Sequence, residues 1–406
     1  RAQAMRVWAT ARQQGDFSLF RPWLEKILDQ QRQAARMYGY EGDIYDALLE
    51  GFEPGMTVAR LDPMLAAVRE RMVLLLESLT VRDKRPDRSL LSRCYPIEKQ
   101  MAFARDLARA VGFDFEAGRL EKCGHAFTEA IAIGDVRMTI RCVEDDPLAS
   151  IYCLLHEVGH GLYEQGFVGD HESTPMAQAV SGCVHESQSR LWENMVGRSR
   201  AFWQFALPRF KTAFSRVADD IDLETIYQCA TEVRPTLRRV GSDEVTYNLH
   251  IILRYELERD LLNARIQVAD LPALWRERMT QYLGLIPPND GVGVLQDVHW
   301  SMYDFGCFTT YALGNLYAGQ IYQAMRRDLP DLDEQIARGE FLPLREWLRN
   351  KIHRHGMRYQ AAELIEKVTG QPPASGPFLE YISKKYSKAR ATQDGSGRQI
   401  DASTID

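Results

Sequence analysis

Residues 156–160 read His-Glu-Val-Gly-His, a spacing that can bind and use a divalent metal ion. On a helix, His156 and His160 leave the same face one turn apart, so both imidazoles can bind one ion. Glu157 can then reach a water molecule on that ion rather than the ion itself. Glu186, further along the chain, is the predicted third ligand. Two imidazoles and one carboxylate leave a fourth position open for water, which is typical of a catalytic zinc site.

The flanking residues favour helices around these ligands. Asp145-Asp146-Pro147 is typical of a helix start, and apolar residues then recur at helical spacing from Leu148 to Tyr163. A second predicted helix, Ala177–Val196, is apolar enough to be buried but carries a polar run from His185 to Arg190. Buried polar groups need partners, and a metal ion with its surrounding residues supplies them. A surface helix with two incidental histidines would leave that run unexplained.

Other ligand sets fit the sequence less well. A metzincin would place its third histidine at position 166, which is Gly166. Cys153 and Cys183 flank the predicted ligands, but each lies on an apolar helix face, so we interpret both as buried packing residues. The predicted ligand set suits Zn²⁺ and also accepts Co²⁺ or Mn²⁺.

Composition excludes several classes of partner. The 406 residues, 45% of them hydrophobic, can bury a large core. A net charge of −6 gives no reason to expect nucleic acid or an anionic membrane surface as a partner. No apolar run reaches the roughly 18 residues that a membrane span needs. The seven cysteines include no CxxC pair, a pattern typical of reduced thiols, so we predict a cytoplasmic protein.

Hydrophobic periodicity predicts a mainly α fold. Residues 126–142 alternate like a strand pair around a Gly134-Asp135 turn, so we expect a small sheet near the metal site. We predict a single domain over residues 1–391 and a polar, loosely attached tail over 392–406. The segment 243–262 is long and has an amphipathic pattern. The predicted helices are Pro22–Gly39, Leu61–Leu79, Ile97–Val111, Leu148–Tyr163, Ala177–Val196, Asp243–Leu262 and Phe308–Met325.

Several ordered motifs resemble those of the carboxypeptidase Taq family of zinc metallocarboxypeptidases, which remove C-terminal residues from peptides. The metal motifs match as HEVGH and HESQSR, and residues 135–139 match the family's D-x-R-x-T motif. Residues 293–300 match G-x-x-Q-D-x-H-W in full, and 243–250 are similar to a further family segment. The resemblance runs from about Trp8 to about Tyr386.

Some motifs depart from the family pattern. His125-Ala126-Phe127 stands in place of H-P-F, which keeps the imidazole but loses a rigid turn. Residues 238–243 keep Arg239 and Asp243 of the I/V-R-x-x-A-D motif but replace two apolar positions. Family members also usually start earlier, so the resemblance implies that N-terminal helices of the family are missing here.

Another departure affects a predicted catalytic donor. Cys307 stands where the family often has a tyrosine that can donate a hydrogen bond to the reacting oxygen. Tyr311, four residues on and on the same helix face, or Tyr303 would have to supply that donor. We predict Tyr311, together with His299 of the G-x-x-Q-D-x-H-W motif, as catalytic residues beside Glu157.

The resemblance implies an elongated helical bundle with a deep central groove, zinc or sometimes cobalt at its floor, and a homodimer. In the implied reaction Glu157 is general base and then general acid. Peptides with a free C-terminus are the expected substrates, and an arginine suits their terminal carboxylate. Arg239 is the first choice; Arg137, beside Asp135 in its motif, is the second; and His125 lines the subsite.

Alternatives stay open for several of these residues. Arg137 in an alternating strand can equally be solvated or ion-paired, and His299 can be a core histidine. Asp297 can orient a histidine, and we interpret His250 as structural.

Alternatives also stay open for the activity. An endopeptidase would use the same metal site without an arginine for a terminal carboxylate, and an aminopeptidase would need an acidic anchor that we do not find. A catalytically silent peptide-binding homologue is the remaining reading, although it would have no need of Glu157.

Overall fold

Helices dominate the computed structural model, which describes residues 1–80 and 85–393. They confirm the predicted mainly α class. In chain order these residues form α1 (Ala2–Gln14), α2 (Arg21–Tyr38), α3 (Asp46–Leu49), α4 (Val58–Thr80), α5 (Ile97–Ala110), α6 (Pro147–Glu164), α7 (Gly182–Arg190), α8 (Arg200–Ala213), α9 (Leu223–Ala230), α10 (Thr246–Leu262), α11 (Leu271–Leu283), α12 (Phe308–Asp328), α13 (Leu332–Arg338), α14 (Leu342–Lys351), α15 (Ala361–Thr369) and α16 (Gly376–Gln393).

A three-stranded sheet precedes α6 and packs against it. Strands β2 (Phe127–Ala132) and β3 (Asp135–Ile140) pair antiparallel, which confirms the predicted hairpin. Gly134 supplies the turn with a φ of 86°, a conformation that favours glycine. Strand β1 (Gly118–Lys122) pairs parallel with the other edge of β3 and was not predicted. Only Leu120 of β1 is buried, so its sequence lacks the alternation that identifies a strand.

Helix α6, which carries the His-Glu-Val-Gly-His motif, begins as the sequence predicts. The Asp146 carboxylate accepts a hydrogen bond of 3.2 Å from the backbone N–H of Ala149, and Pro147 occupies the first turn. Most of α6 is buried, because it packs on β3, on β2 and on α7. The first two predicted ligands therefore lie on a central helix.

Helix α7 starts later than predicted. The expected helix began at Ala177, but Ser181 caps the observed one by accepting a hydrogen bond of 3.1 Å from the Val184 N–H. Pro175–Ala177 forms a separate 3₁₀ turn. Beyond Arg190 the helix continues as a π-helical turn over Leu191–Val196, a feature that often marks functional sites.

Helix α10 differs from its amphipathic prediction because almost all of it is buried. Asp243 caps its start by accepting hydrogen bonds of 2.9 Å from the N–H groups of Val245 and Thr246. Several of its polar side chains, including Arg254 and Glu258, are fully buried. Such buried polar groups must find their partners inside the protein.

Helix α16, the last described helix, reaches into the predicted tail. Thr392 and Gln393 belong to α16, while residues 394–406 lie outside the described residues. The single domain over 1–391 stays a prediction. Within the described ranges, none of the helices combines the length and the apolar character needed to cross a bilayer.

Candidate active site

The three predicted metal ligands converge on one point. The Nε2 atoms of His156 and His160 are 3.3 Å apart. Oε2 of Glu186 is 3.8 Å from the first of these nitrogens and 3.5 Å from the second. Zinc bonds of about 2.0–2.2 Å in tetrahedral geometry separate neighbouring ligand atoms by roughly 3.3–3.6 Å. The donor set therefore fits a divalent metal ion without a large rearrangement.

Close helix packing brings Glu186 on α7 to the histidines on α6. At Gly159, between the two histidines, a side-chain Cβ would lie 2.6 Å from the Gln188 carbonyl oxygen. At Gly314 on α12, a Cβ would lie 2.6 Å from Cγ of Glu186. Two glycines thus let neighbouring helices approach the ligand carboxylate, and any larger residue would displace it.

A second carboxylate, Glu193, orients the first histidine, and sequence reasoning missed it. Its Oε2 accepts a hydrogen bond of 3.0 Å from Nδ1 of His156, which leaves the Nε2 lone pair of that ring free for a metal. Arg198 and Arg190 hold Glu193 in turn, at 3.3 and 3.2 Å. Glu193 lies seven residues, about two helical turns, after Glu186. That spacing was the only local signal for its role.

Burial and charge keep His160 and Glu186 in the form a metal requires, whereas burial lowers the pKa of His156 but Glu186 and Glu193 raise it above its usual value. Burial lowers the pKa of His160 to about 3, so its imidazole is neutral. Burial alone would raise the pKa of Glu186, but Arg190 and His156 hold it well below its usual range. Arg190 donates to Oε1 of that carboxylate at 2.7 Å, which leaves Oε2 directed at the histidines. Neutral imidazoles and an ionised carboxylate are the metal-binding species.

Glu157 lies beside this triad but does not join it. The side chain is 5% exposed, and its Oε2 accepts a hydrogen bond of 2.7 Å from Thr128 on β2. Burial raises the pKa of Glu157, which brings it closer to the range in which a carboxylate exchanges protons near neutral pH. Thr128 was not singled out in the sequence, although it lies in the alternating segment. The sheet thus orients the predicted general base.

Two arginines share one carboxylate in a second polar cluster. Nε of Arg239 is 3.1 Å from Oδ1 of Asp297, and Nε of Arg254 is 2.7 Å from Oδ2. All three side chains are buried or nearly so. Two guanidinium groups and one carboxylate leave a net positive charge in a region of low dielectric, where it attracts an anion strongly.

His299 and Tyr311 border this cluster. The Tyr311 hydroxyl lies 3.2 Å from Nε2 of His299, and the Arg239 guanidinium lies 4.8 Å from the centre of the Tyr311 ring. Burial lowers the pKa of His299 to about 4, and Arg239 adds to that effect, so the imidazole is neutral. Tyr303 directly follows the 3₁₀ turn His299–Met302, and its backbone carbonyl accepts a hydrogen bond from the Gln31 side chain. Tyr311 is therefore the tyrosine that the fold places beside His299.

Tyr247 connects the two groups of residues. Its hydroxyl accepts a hydrogen bond of 3.1 Å from Arg239, and the guanidinium of Arg190 lies 4.0 Å from the centre of its ring. Arg190 is the residue that binds the ligand carboxylate of Glu186. The positive cluster of Arg239, Arg254 and Asp297 is thus linked to the predicted ligand Glu186 by three successive contacts, through Tyr247 and Arg190.

Three predicted substrate-binding residues lie elsewhere. Arg137 and Asp135 form a two-point ion pair on β3, with distances of 3.0 and 2.6 Å. Arg137 pairs across the strands with Glu129, so both face away from the side that presents Thr128 to α6. His125 is exposed, and its Nδ1 lies 2.9 Å from its neighbour's carbonyl oxygen. Among the described residues, the recorded hydrogen bonds and ion pairs of these three side chains do not reach the triad or the positive cluster, and their substrate-binding role stays a prediction.

A helical fold with paired histidines, one carboxylate as the third candidate ligand and an adjacent glutamate defines the class of this protein as a metallopeptidase. A model of the carboxypeptidase Taq (M32) metallopeptidase family matches residues 1–386, and the chain belongs to this family. It is therefore a metal-dependent carboxypeptidase, as the sequence motifs predicted.

Curated and solved relatives agree with this assignment. Thermostable carboxypeptidase 1 of Thermus thermophilus is 44% identical over 395 residues, and carboxypeptidase 1 of Bacillus subtilis is 39% identical over 386 residues. Each match covers 95% of this chain and 77% of the relative. The crystal structure of an M32 carboxypeptidase from Deinococcus radiodurans R1 superposes with a TM-score of 0.93 at 39% identity, covering 95% of this chain and 78% of that one.

Proposed function

We propose that this carboxypeptidase binds Zn²⁺ through His156, His160 and Glu186 and releases C-terminal residues with Glu157 as general base and acid. The observation that carries the proposal is the short contact path from the metal donors through Tyr247 to a net positive cluster at Arg239. A carboxypeptidase needs those two features close together, because the scissile bond lies one residue from the terminal carboxylate.

When bound, the metal supplies Lewis-acid activation of water and of the scissile carbonyl. Glu157 accepts a proton from the attacking water and delivers it to the leaving amine. Thr128 holds one oxygen of that carboxylate, so the other remains free for the proton. Tyr311 and neutral His299 offer hydrogen bonds to the charge that develops on the carbonyl oxygen. One such donor is worth about 3 kcal/mol.

Arg239 is the proposed anchor for the substrate's terminal carboxylate. Asp297 neutralises only one of the two guanidinium groups beside it, whereas Asp135 neutralises Arg137 completely. That difference favours Arg239 and leaves Arg137 as the second choice. His125 and Asp135 are proposed only as residues that line the approach to the site.

The first experiment compares peptide products by mass spectrometry. The metal-loaded protein and its Glu157→Gln variant are incubated with peptides that have a free or an amidated C-terminus. We expect stepwise loss from free C-termini, none from amidated ones and none with the variant. Internal cuts that ignore amidation would identify an endopeptidase instead. Metal binding without any cleavage would identify a silent peptide-binding protein.

Arg239→Ala tests the anchor, and Arg238→Ala is its matched control because Arg238 is exposed one position earlier. Loss of a buried charge-assisted contact costs about 2–5 kcal/mol, so kcat/KM for free C-terminal peptides should fall by roughly 30- to 4000-fold. The control should retain activity. Equal losses in both variants, or a loss of bound metal in the first, would contradict the anchor role.

The metal, the assembly and the compartment are further proposals. Zn²⁺ is the proposed ion, with Co²⁺ or Mn²⁺ as substitutes, and metal analysis of protein purified without added metal tests this. A homodimer follows from the family resemblance, and light scattering after size exclusion measures it. All seven cysteines lie in the described part of the chain as free thiols, which supports a reducing compartment such as the cytoplasm.

A further inference from the structure

A further buried carboxylate, that of Glu258 on α10, binds both ends of the segment 299–306, which begins with His299. The side chain is 0% exposed. Its Oε1 accepts a hydrogen bond of 2.8 Å from the Trp300 indole N–H. Its Oε2 accepts 3.2 Å from the Gly306 backbone N–H and 2.8 Å from the Tyr45 hydroxyl. The segment 299–306 is thus held to α10 at its first turn and at its last residue.

The backbone conformation of the segment 299–306 is not favourable by itself and depends on surrounding contacts. Tyr303 has a φ of 68° and Gly306 a φ of 92°. The first value is unfavourable for a residue with a side chain, and such conformations persist only when surrounding contacts impose them. Glu258 provides two of those contacts from one rigid, buried helix. The third partner, the Tyr45 hydroxyl, fixes the orientation of the Glu258 carboxylate.

We propose that Glu258 is a positioning residue for catalysis, which sets the place of His299 through Trp300 and Gly306. The inference rests on the proposed role of His299 as a hydrogen-bond donor to the reacting oxygen. His299 precedes Trp300 directly, so a shift of the indole moves the imidazole relative to Tyr311. A displacement of about 1 Å at a catalytic group can cost 100-fold in rate. Glu258 touches neither substrate nor metal ligand, so its effect is confined to kcat.

Glu258→Gln isolates this role because it keeps the volume of the side chain. All three partners donate to the carboxylate, and an amide offers only one acceptor oxygen. Whichever way the amide turns, its NH₂ group opposes either the Trp300 N–H or the Gly306 N–H. One end of the segment is therefore released. Glu256→Gln is the matched control, since Glu256 lies on the same helix and accepts from Arg278 and Tyr282 at 2.6 Å, away from the segment.

The deciding experiment is a double-mutant cycle between Glu258→Gln and His299→Ala, with kcat, KM and bound zinc measured for each variant. We expect Glu258→Gln to lower kcat by roughly 10- to 100-fold with KM and zinc content near wild type. In the His299→Ala background the same change should cost less than about 3-fold, because the positioned group is gone. Glu256→Gln should stay within about 3-fold of wild type.

Each outcome separates the positioning role from the proposed function. Equal losses from Glu258→Gln with and without His299, or a loss matched by Glu256→Gln, would overturn the inference and leave the role of His299 intact. Wild-type kcat in His299→Ala would refute the catalytic role of His299 and with it this inference.

A second variant, Trp300→Phe, keeps the experiment decisive even if Glu258→Gln does not fold. Trp300→Phe removes the indole donor, so in Glu258→Gln/Trp300→Phe the amide NH₂ no longer opposes an N–H and its oxygen can accept from Gly306. We expect the double variant to be several-fold faster than Glu258→Gln alone. If Glu258→Gln does not fold, the comparison is made between the double variant and Trp300→Phe, and an equal kcat is expected. A double variant slower than either single variant would overturn the proposal.

Discussion

Glu157, Glu186 and Glu258 are three buried carboxylates whose neighbours give them different chemistry. The Glu186 carboxylate contacts the Arg190 guanidinium and the imidazoles of the two predicted histidine ligands, so it stays ionised and can bind a metal ion. Glu157 receives one threonine hydroxyl, and burial raises its pKa, which suits proton transfer. Glu258 receives three neutral donors and holds a backbone segment. Residue type alone does not distinguish these roles, because the partners come from other elements.

The contrast between two of these glutamates gives a residue-scale prediction. Glu157→Gln should reduce kcat by at least roughly 100-fold, since an amide cannot accept the proton, while bound zinc stays at the wild-type level. Glu186→Gln should lose zinc as well as activity, because a neutral amide is a poor ligand. Metal analysis and peptide kinetics on both variants provide the measurement. Equal zinc loss in the two variants would contradict the separate roles.

At the scale of elements, the site depends on how closely α6, α7 and α12 approach one another. Gly314 lies against Glu186, and Gly319 one turn and a half further along α12 lies against Phe378, where an added Cβ would meet Cα at 2.7 Å. The two glycines therefore face similar steric limits, but only the first borders a predicted metal ligand. The site also depends on the π-helical turn after α7, because this turn places the Glu193 carboxylate within hydrogen-bond distance of His156.

Gly314→Ala should lower zinc affinity by about 10- to 100-fold, because the methyl group pushes Glu186 out of line with the histidines. Gly319→Ala is the control: it should reduce thermal stability to a similar extent without changing zinc affinity. Competition with a chelator measures affinity for both. Similar affinities in the two alanine variants would show that α12 does not set the position of the ligand.

Glu193→Gln should also weaken zinc binding by about 10- to 100-fold, since the ring of His156 loses the carboxylate that fixes its tautomer. Glu164→Gln is a suitable comparison, because Glu164 pairs at 2.7 Å with His185, which is not a predicted ligand. Competition with a chelator measures the zinc affinity of both variants. An unchanged affinity in the first variant would refute the orienting role.

At the scale of the whole molecule, buried neutral histidines tie distant parts of the chain together. His353, between α14 and α15, is buried and contacts Gln188 on α7 at 3.0 Å, so it joins the C-terminal helices to the ligand helix. Burial lowers the pKa of His353 to about 3, and Arg349 adds to this. The folded protein therefore resists protonating a group that the unfolded chain protonates near pH 6.5.

Stability should consequently fall as the pH drops below about 6.5, because the unfolded state then binds more protons than the folded state. At pH 5 this one histidine should cost about 2 kcal/mol of unfolding free energy relative to pH 8. His353→Gln removes the titrating group, so the wild type should lose about that much more than the variant over this range. Urea unfolding at both pH values measures the difference. Parallel losses would mean that His353 is not buried in its neutral form.

Much of the site could be read from the chain because helical spacing is a local property. His156 and His160 one turn apart, the cap at Asp146, the β2–β3 hairpin and the ordered motifs of the family all depend on neighbouring residues. These patterns predicted the α class, the metal triad and the carboxypeptidase family. They did not predict β1, the later start of α7 or the burial of α10, since each of those depends on what packs against the segment.

The sequence by itself determined which residue types are available for the reaction. They are two histidines and one carboxylate as candidate metal ligands, a glutamate as candidate base, and arginines that can bind a terminal carboxylate. Only the tertiary structure decided which charges meet. It placed the local Asp135–Arg137 pair on an outer strand face, and it left Arg239 in a cluster with excess positive charge, beside Arg254 and Asp297 from other elements. It also brought Glu193 to the candidate metal site and Glu258 to the segment 299–306. The physical reason is that buried polar groups take whichever partners the packing of distant elements supplies, and no local spacing encodes that choice.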